Sequence, residues 1–145
     1  MLDIENLHVA YGPVQVLHGI SMRVESGSIV GVLGANGSGK TTLFKAVTGL
    51  VRVTDGNVRL SGHDLTNVST QSIVKQGVTL VPQGRMLFPE MTVYENLEMG
   101  AYLLRDHTEF SRRLEKVQQL FPILKERSGQ MVALMSGGEQ QMLAI

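Results

Sequence analysis

In the first half of the chain, apolar residues alternate with polar ones or form short unbroken runs; in the second half they recur every third and fourth position. Over residues 1–10, Leu2, Ile4, Leu7 and Val9 alternate loosely and predict a short strand at the edge of a pair, broken by Tyr11-Gly12-Pro13. Val14, Val16, Leu17, Ile20, Met22 and Val24 predict a second strand, and Glu25-Ser26-Gly27 a turn. The unbroken run Ile29-Val30-Gly31-Val32-Leu33 then reads as a buried strand, with a helix from Gly39 to about Thr48, stopped by Gly49. Residues 51–60 carry Asp55-Gly56-Asn57, which predicts a hairpin-type turn between short strands, and Ser61-Gly62-His63-Asp64 reads as another turn. A short helix over residues 70–76, closed by Gly77, leads to a continuous apolar strand, Val78-Thr79-Leu80-Val81, ended by Pro82.

The character changes at Thr92. Thr92-Val93-Tyr94-Glu95 has the spacing of a capping box, in which two orphan helix donors are satisfied reciprocally, and predicts a helix from Val93 to about Leu104. Leu114, Val117, Leu120, Phe121 and Leu124 form an amphipathic stripe over residues 109–124, with Arg112, Arg113, Glu115 and Lys116 mostly on the other face, a pattern that serves packing. The chain thus divides into a strand-rich portion (1–89), a small helical portion (90–134) and a final loop with the start of its helix (135–145).

The 145 residues, 43% apolar, suffice to bury one core. Thirteen basic and thirteen acidic residues cancel, so no whole-chain basic field favours nucleic acid as a partner. The absence of cysteine excludes a disulfide framework and a thiolate metal site, and fits a reducing compartment. No run approaches 18 apolar residues, and the acidic start Met1-Leu2-Asp3-Ile4-Glu5-Asn6 is unlike a signal peptide; a soluble, cytosolic chain is expected.

Chemistry concentrates in two glycine-rich stretches. Gly34-Ala35-Asn36-Gly37-Ser38-Gly39-Lys40-Thr41-Thr42 matches G-x-x-x-x-G-K-[ST] and stands between an apolar run and a helix. In such a loop backbone N–H groups cradle phosphates, the lysine reaches the β/γ oxygens and the hydroxyl holds Mg²⁺. Gly34, Gly37 and Gly39 can adopt positive φ and admit an anion closely, and the helix start adds its unpaired N–H groups and positive dipole end. In Met135-Ser136-Gly137-Gly138-Glu139, Ser136 and Glu139 repeat the capping-box spacing. Two glycines in a first helical turn cost roughly 1 kcal/mol each relative to alanine. A helix start stripped of side chains can receive an anion, although Ser-Gly-Gly-Glu alone also suits an ordinary cap.

Taken together, the two loops resemble the ATP-binding subunits of ABC transporters, whose signature usually reads Leu-Ser-Gly-Gly-Gln where this chain has Met135-Ser136-Gly137-Gly138-Glu139. The resemblance covers the whole chain and implies an α/β P-loop NTPase fold with an amino-terminal antiparallel β portion and a helical subdomain, incomplete at the carboxy terminus. Tyr11 lies where the family has an aromatic that stacks on adenine, and Gln83 where it has the glutamine loop. Leu87-Phe88-Pro89-Glu90-Met91-Thr92-Val93-Tyr94-Glu95-Asn96-Leu97 is similar to the start of its helical subdomain. More narrowly, Val81-Pro82-Gln83-Gly84-Arg85 and Ser136-Gly137-Gly138-Glu139-Gln140-Gln141-Met142-Leu143-Ala144-Ile145 are similar to the second ATP-binding subunit of branched-chain amino-acid importers, with a urea or short-chain amide importer of the same branch as the alternative.

The resemblance implies ATP and Mg²⁺ as cofactors. Gly34, Asn36, Gly37, Ser38, Gly39, Lys40, Thr41 and Thr42 would hold the phosphates, and Lys40 would neutralise charge developing on them. Thr41 would ligate Mg²⁺, and Gln83 would reach Mg²⁺ or the attacking water; Lys40 and Gln83 are the catalytic candidates. Ser136, Gly137 and Gly138, with Glu139 beside them, would hold the γ-phosphate of ATP on the other subunit of a homo- or heterodimer, a head-to-tail sandwich closed by a two-fold axis. Transmembrane permease subunits would be met near Gln83 and the helical subdomain, on the cytoplasmic face of the plasma (inner) membrane. The family continues, after its signature helix, with an apolar strand ending in Asp-Glu and with a later switch histidine. His8, His18, His63 and His107 all precede the signature. A cut-off ATPase that binds nucleotide without turning it over is therefore expected, with a catalytically silent nucleotide-binding fragment as the rival.

Overall fold

The computed structural model describes residues 1–145, and the chain divides into two compact units, Met1–Leu80 and Val81–Ile145. In the first unit, β1 (Leu2–Tyr11), β2 (Val14–Val24), β3 (Asp55–Leu60) and β4 (His63–Asp64) form one antiparallel sheet in the order β2-β1-β3-β4. β1 is thus an internal strand, not the edge its loose alternation predicts. Leu2 pairs with Val24 on one side and Leu60 on the other.

That looseness has a physical origin. Ile4, Leu7 and Val9 are all buried, which strict alternation forbids, because positions 4 and 7 lie on opposite faces of a regular strand. The register shifts between Ile4 and Leu7, where Asn6 takes φ 47°, so a bulge restores the apolar face. The Asn6 N–H is accepted by Ser21 Oγ at 2.9 Å. Opposite this bulge, Gly56 (φ 87°) comes so close that a Cβ on it would lie 2.2 Å from the Asn6 carbonyl oxygen. Asp55-Gly56-Asn57 is therefore the start of one strand, not a hairpin turn; the turn is Ser61-Gly62, which leads into β4.

Helices α1 (Lys40–Val47) and α2 (Thr70–Lys75) complete this unit. Leu43, Ala46 and Val47 of α1 and Ile73 of α2 join Leu7, Val9, Leu17 and Val58 of the sheet in one core. Each leucine, isoleucine or valine side chain among them, when fully buried, contributes about 1.5–3 kcal/mol relative to exposure.

The two apolar runs predicted as buried strands are not strands. Residues 29–33 make no backbone hydrogen bond to another segment; Ile29 is 100% exposed and Leu33 95%. At residues 78–81 the Val78 N–H returns to Ile73 O at the end of α2, and no ladder forms. An apolar run becomes a strand only when a neighbouring backbone takes up its N–H and C=O groups, and the antiparallel sheet pairs with neither segment.

The second unit contains α3 (Val93–Gly100), α4 (His107–Leu120), α5 (Pro122–Glu126) and α6 (Gly137–Ala144), with a 3-10 turn at Val132–Leu134. The Thr92 capping box forms as predicted, but α3 ends early. The Ala101 N–H is shared between Leu97 O and Glu98 O, and Tyr102 and Leu104 continue in i to i+3 turns. The amphipathic stripe is interrupted at Phe121, because Pro122 cannot donate within a helix and instead opens α5. Leu120 is consequently exposed, while Leu124 is buried with Val93, Val132, Met135 and Leu143.

Candidate functional site

The phosphate loop lies in the first unit, on the β1–β2 hairpin. A Cβ on Gly39 (φ 91°) would lie 2.8 Å from Leu17 Cδ2 and 3.4 Å from Val16 O, so glycine lets the loop settle on β2. Gly37 also takes positive φ, at 82°. Gly34 does not; it is required for space, because a Cβ there would lie 2.6 Å from Ser38 Oγ. Lys40 Nζ bends back and donates to Gly34 O at 2.8 Å and Ala35 O at 2.7 Å. Within the loop the Ser38 N–H is taken up by Ala35 O, and the first α-helical bond runs from Leu43 N to Gly39 O. The N–H groups of Asn36, Gly37, Gly39, Lys40, Thr41 and Thr42 have no acceptor in the chain, and Gly39 supplies no side-chain cap to α1. Free donors, a positive helix end and an ammonium group are thus gathered in one exposed loop, which suits a multiply charged anion. The Thr41 side chain is exposed and Thr42 is buried against the core, so of the two hydroxyls only Thr41 is open to a cation.

Tyr11 ends β1 on the same hairpin, paired with Val14 across a turn whose Gly12 takes φ 58°. The residue is 46% exposed, and an exposed aromatic ring can stack on a planar partner.

The second stretch lies in the other unit. Ser136 caps α6: its Oγ accepts from Glu139 N at 3.3 Å, and Glu139 Oε2 accepts from Ser136 N at 2.7 Å. The Ser136 backbone N–H, and after it the Ser136 hydroxyl, hold the Glu139 carboxyl below the ordinary carboxylate range, and the Arg127 charge adds to the effect. Arg127 Nη1 lies 3.3 Å from Glu139 Oε1. Glutamate in place of the signature's usual glutamine therefore keeps the cap and gains an ion pair. Ser136, Gly137 and Gly138 are exposed, and nothing lies within 4 Å of a Cβ on Gly138. The preceding segment, residues 128–132, is pinned: Val93 N donates to Gln130 O, Tyr94 N to Ser128 O and Val132 N to Met91 O.

Gln83 is exposed just after Pro82. Gly84, Arg85 and Met86 follow at φ 85°, 68° and 49°, and buried Asn96 then secures Phe88 by accepting from its N–H at 2.9 Å and donating to its carbonyl at 3.0 Å. Two side chains with no sequence-based role stand out in this unit: Arg85 Nη1 donates to Gln140 Oε1 at 2.9 Å. A bond between residues 55 positions apart has no signal in periodicity or spacing. Each unit thus assembles one group of candidates: Tyr11 and residues 34–42 in the first, Gln83 and residues 136–139 in the second.

The comparisons with known proteins agree with these features. The sequence profile of the ABC transporter family matches residues 17–145. Over its whole length the chain is 41% identical to the high-affinity branched-chain amino acid transport ATP-binding protein BraG of Pseudomonas aeruginosa, covering 62% of that protein. It is 37% identical over 150 aligned positions to the lipopolysaccharide export system ATP-binding protein LptB of Haemophilus influenzae, covering 61% of it. The chain thus spans about three fifths of these relatives' length. Among solved structures, an ATP-binding subunit of an ABC transporter superposes with a TM-score of 0.85 at 26% identity, over 99% of this chain and 59% of that one. A dimeric bacterial ABC transporter cassette does so at 0.84 and 22% identity, over 100% and 67%. The chain belongs to the ABC transporter family, and its fold is the P-loop cassette of that family's ATP-binding subunits.

Proposed function

We propose that the complete protein is the ATP-binding and ATP-hydrolysing subunit that powers an importer, with branched-chain amino acids as the favoured solute. The observation that carries the nucleotide assignment is the set of free N–H groups of Asn36, Gly37 and residues 39–42, in the same loop whose Gly34 and Ala35 carbonyls hold Lys40 Nζ. Phosphate oxygens of ATP would replace the Gly34 and Ala35 carbonyls as acceptors for Lys40. Tyr11 would stack on adenine. The relatives named for branched-chain amino-acid transport support the choice of solute.

Mg²⁺ fits these residues in a limited way. No cluster of three or more His, Asp or Glu side chains could hold a metal by itself, so the protein would offer the ion little beyond the exposed Thr41 hydroxyl of the loop. When bound, it would neutralise charge on the β- and γ-phosphates. Lys40 would do the same from the loop. Ser136, Gly137 and Gly138, with Glu139 holding their cap, would meet the γ-phosphate of ATP on a second subunit. A cassette dimer contacting permease subunits near Gln83 and the helical portion, at the cytoplasmic membrane face, follows from this role.

Calorimetric titration tests the nucleotide assignment. MgATP and tripolyphosphate are expected to bind and adenosine not to. Tyr11→Ala is expected to weaken ATP about 5- to 150-fold, from the ~1–3 kcal/mol of a base–aromatic stack, and to leave tripolyphosphate unchanged. Adenosine binding as tightly as ATP, or equal losses for ATP and tripolyphosphate, would contradict it.

A further inference from the structure

The guanidinium of Arg85 lies against the first turn of α6. Its Nη1 donates to Gln140 Oε1 at 2.9 Å, and a Cβ on Gly137 would stand 3.1 Å from its Nη2. The other end of the Gln140 amide is also engaged: Nε2 donates to Val132 O at 3.0 Å and Met135 O at 3.3 Å. One side-chain amide therefore joins Arg85 to the segment that delivers Ser136.

Two features of this arrangement are locally unfavourable. A cation beside a helix N-terminus opposes the helix dipole. Arg85 and Met86 also both occupy the left-handed region, at φ 68° and 49°, which L residues hold only where the surroundings impose it. Backbone bonds from Arg85 N to Pro82 O at 3.2 Å and from Met86 N to Gly84 O at 2.8 Å fold this segment tightly, so Gln83 cannot shift far without carrying Arg85.

We propose that Arg85, through Gln140, is a positioning residue that couples the placement of the Gln83 segment to the Ser136-Gly137-Gly138 surface of the same chain. The inference rests on the ATP-site roles assigned above to Gln83 and the signature. Movement of Gln83 would pull or release the guanidinium and so re-aim the first turn of α6, through side chains rather than through the intervening helices.

The test uses the complete subunit, with MgATP affinity and steady-state kcat and KM measured for Arg85→Ala, Gln140→Ala, the double variant and Arg85→Lys. Each alanine variant is expected to lose about tenfold in kcat while MgATP affinity stays within twofold. The double variant is expected to be no slower than the slower single, and Arg85→Lys to recover most of kcat, since one N–H to Oε1 is what the tie uses. Wild-type kcat in either single variant, or losses that multiply in the double, would overturn the coupling. If Arg85→Ala does not fold, Arg85→Lys and Gln140→Ala decide, with full activity in Gln140→Ala counting against it. Lys40→Ala in the same assay separates the two readings. If it leaves nucleotide binding intact, the ATP assignment fails and the coupling with it; if it abolishes binding while Arg85→Ala turns over normally, only the coupling fails.

Discussion

Lys40→Ala is expected to lower MgATP affinity about 10- to 150-fold and to leave the melting temperature within a few degrees of the parent. The size follows from the ~1.5–3 kcal/mol that a hydrogen bond to a charged group contributes, here between the ammonium and the phosphate oxygens. The fold is spared because the side chain's bonds are to two exposed loop carbonyls, Gly34 O and Ala35 O, and to no buried group. Removing it leaves those carbonyls open to water. Calorimetry on the variant, alongside a thermal melt, checks both halves. Undiminished affinity in a folded variant would remove Lys40 from the site.

The largest stability effect is expected at Gly56. An alanine methyl there would stand 2.2 Å from Asn6 O and 2.6 Å from Glu5 O, both backbone atoms of the central strand, at a φ of 87° that already disfavours a side chain. Left-handed strain and overpacking each cost about 1–3 kcal/mol, so Gly56→Ala is expected to destabilise the amino-terminal unit by about 2–6 kcal/mol. Gly62 is the control: it takes φ 85°, but nothing lies within 4 Å of a Cβ on it, so Gly62→Ala is expected to show the backbone strain alone. Urea unfolding of both variants measures the difference. Equal losses would mean that the bulge yields to the methyl and that the close approach carries no energy.

Gly56 also shows where sequence reading reached and where it stopped. Asp-Gly-Asn is good turn chemistry, yet in this chain the glycine serves a bulge in the neighbouring strand. The hint was present as a change of parity in β1, where Ile4 and Leu7 cannot share a face without an extra residue, but the partner of that bulge is set by tertiary pairing. The strand assignment of residues 29–33 and 78–81 failed for a related reason. An apolar run carries only composition, whereas a strand needs a second backbone, and none pairs with these segments.

Local signals fared better. Both capping boxes, at Thr92 and Ser136, form with their reciprocal bonds, because all the groups involved lie within four residues. The loop of residues 34–42 was legible as a local pattern for the same reason, since its glycines, lysine and hydroxyls are consecutive; what the structure adds is that Gly34 serves by its small volume, that Gly39 lets the loop settle on β2 and that Lys40 is held by two loop carbonyls. Arg85, Gln140 and Arg127 were invisible as a group, since each finds its partner across a fold and their residue types are ordinary surface choices.

If the phosphate loop is half of a site completed by Ser136-Gly137-Gly138 of a second chain, as proposed, two inactive forms of the complete subunit will restore turnover when mixed. Lys40→Ala disables the loop and leaves the signature, whereas Gly138→Asp sets a negative charge on the open signature surface and leaves the loop. Each alone is expected to turn over ATP at background. Mixed, they form dimers in which the loop of one meets the signature of the other, and turnover is expected to return to a substantial fraction of the parent rate. Turnover that stays at background in the mixture, with both variants folded and able to dimerise, would contradict the shared site.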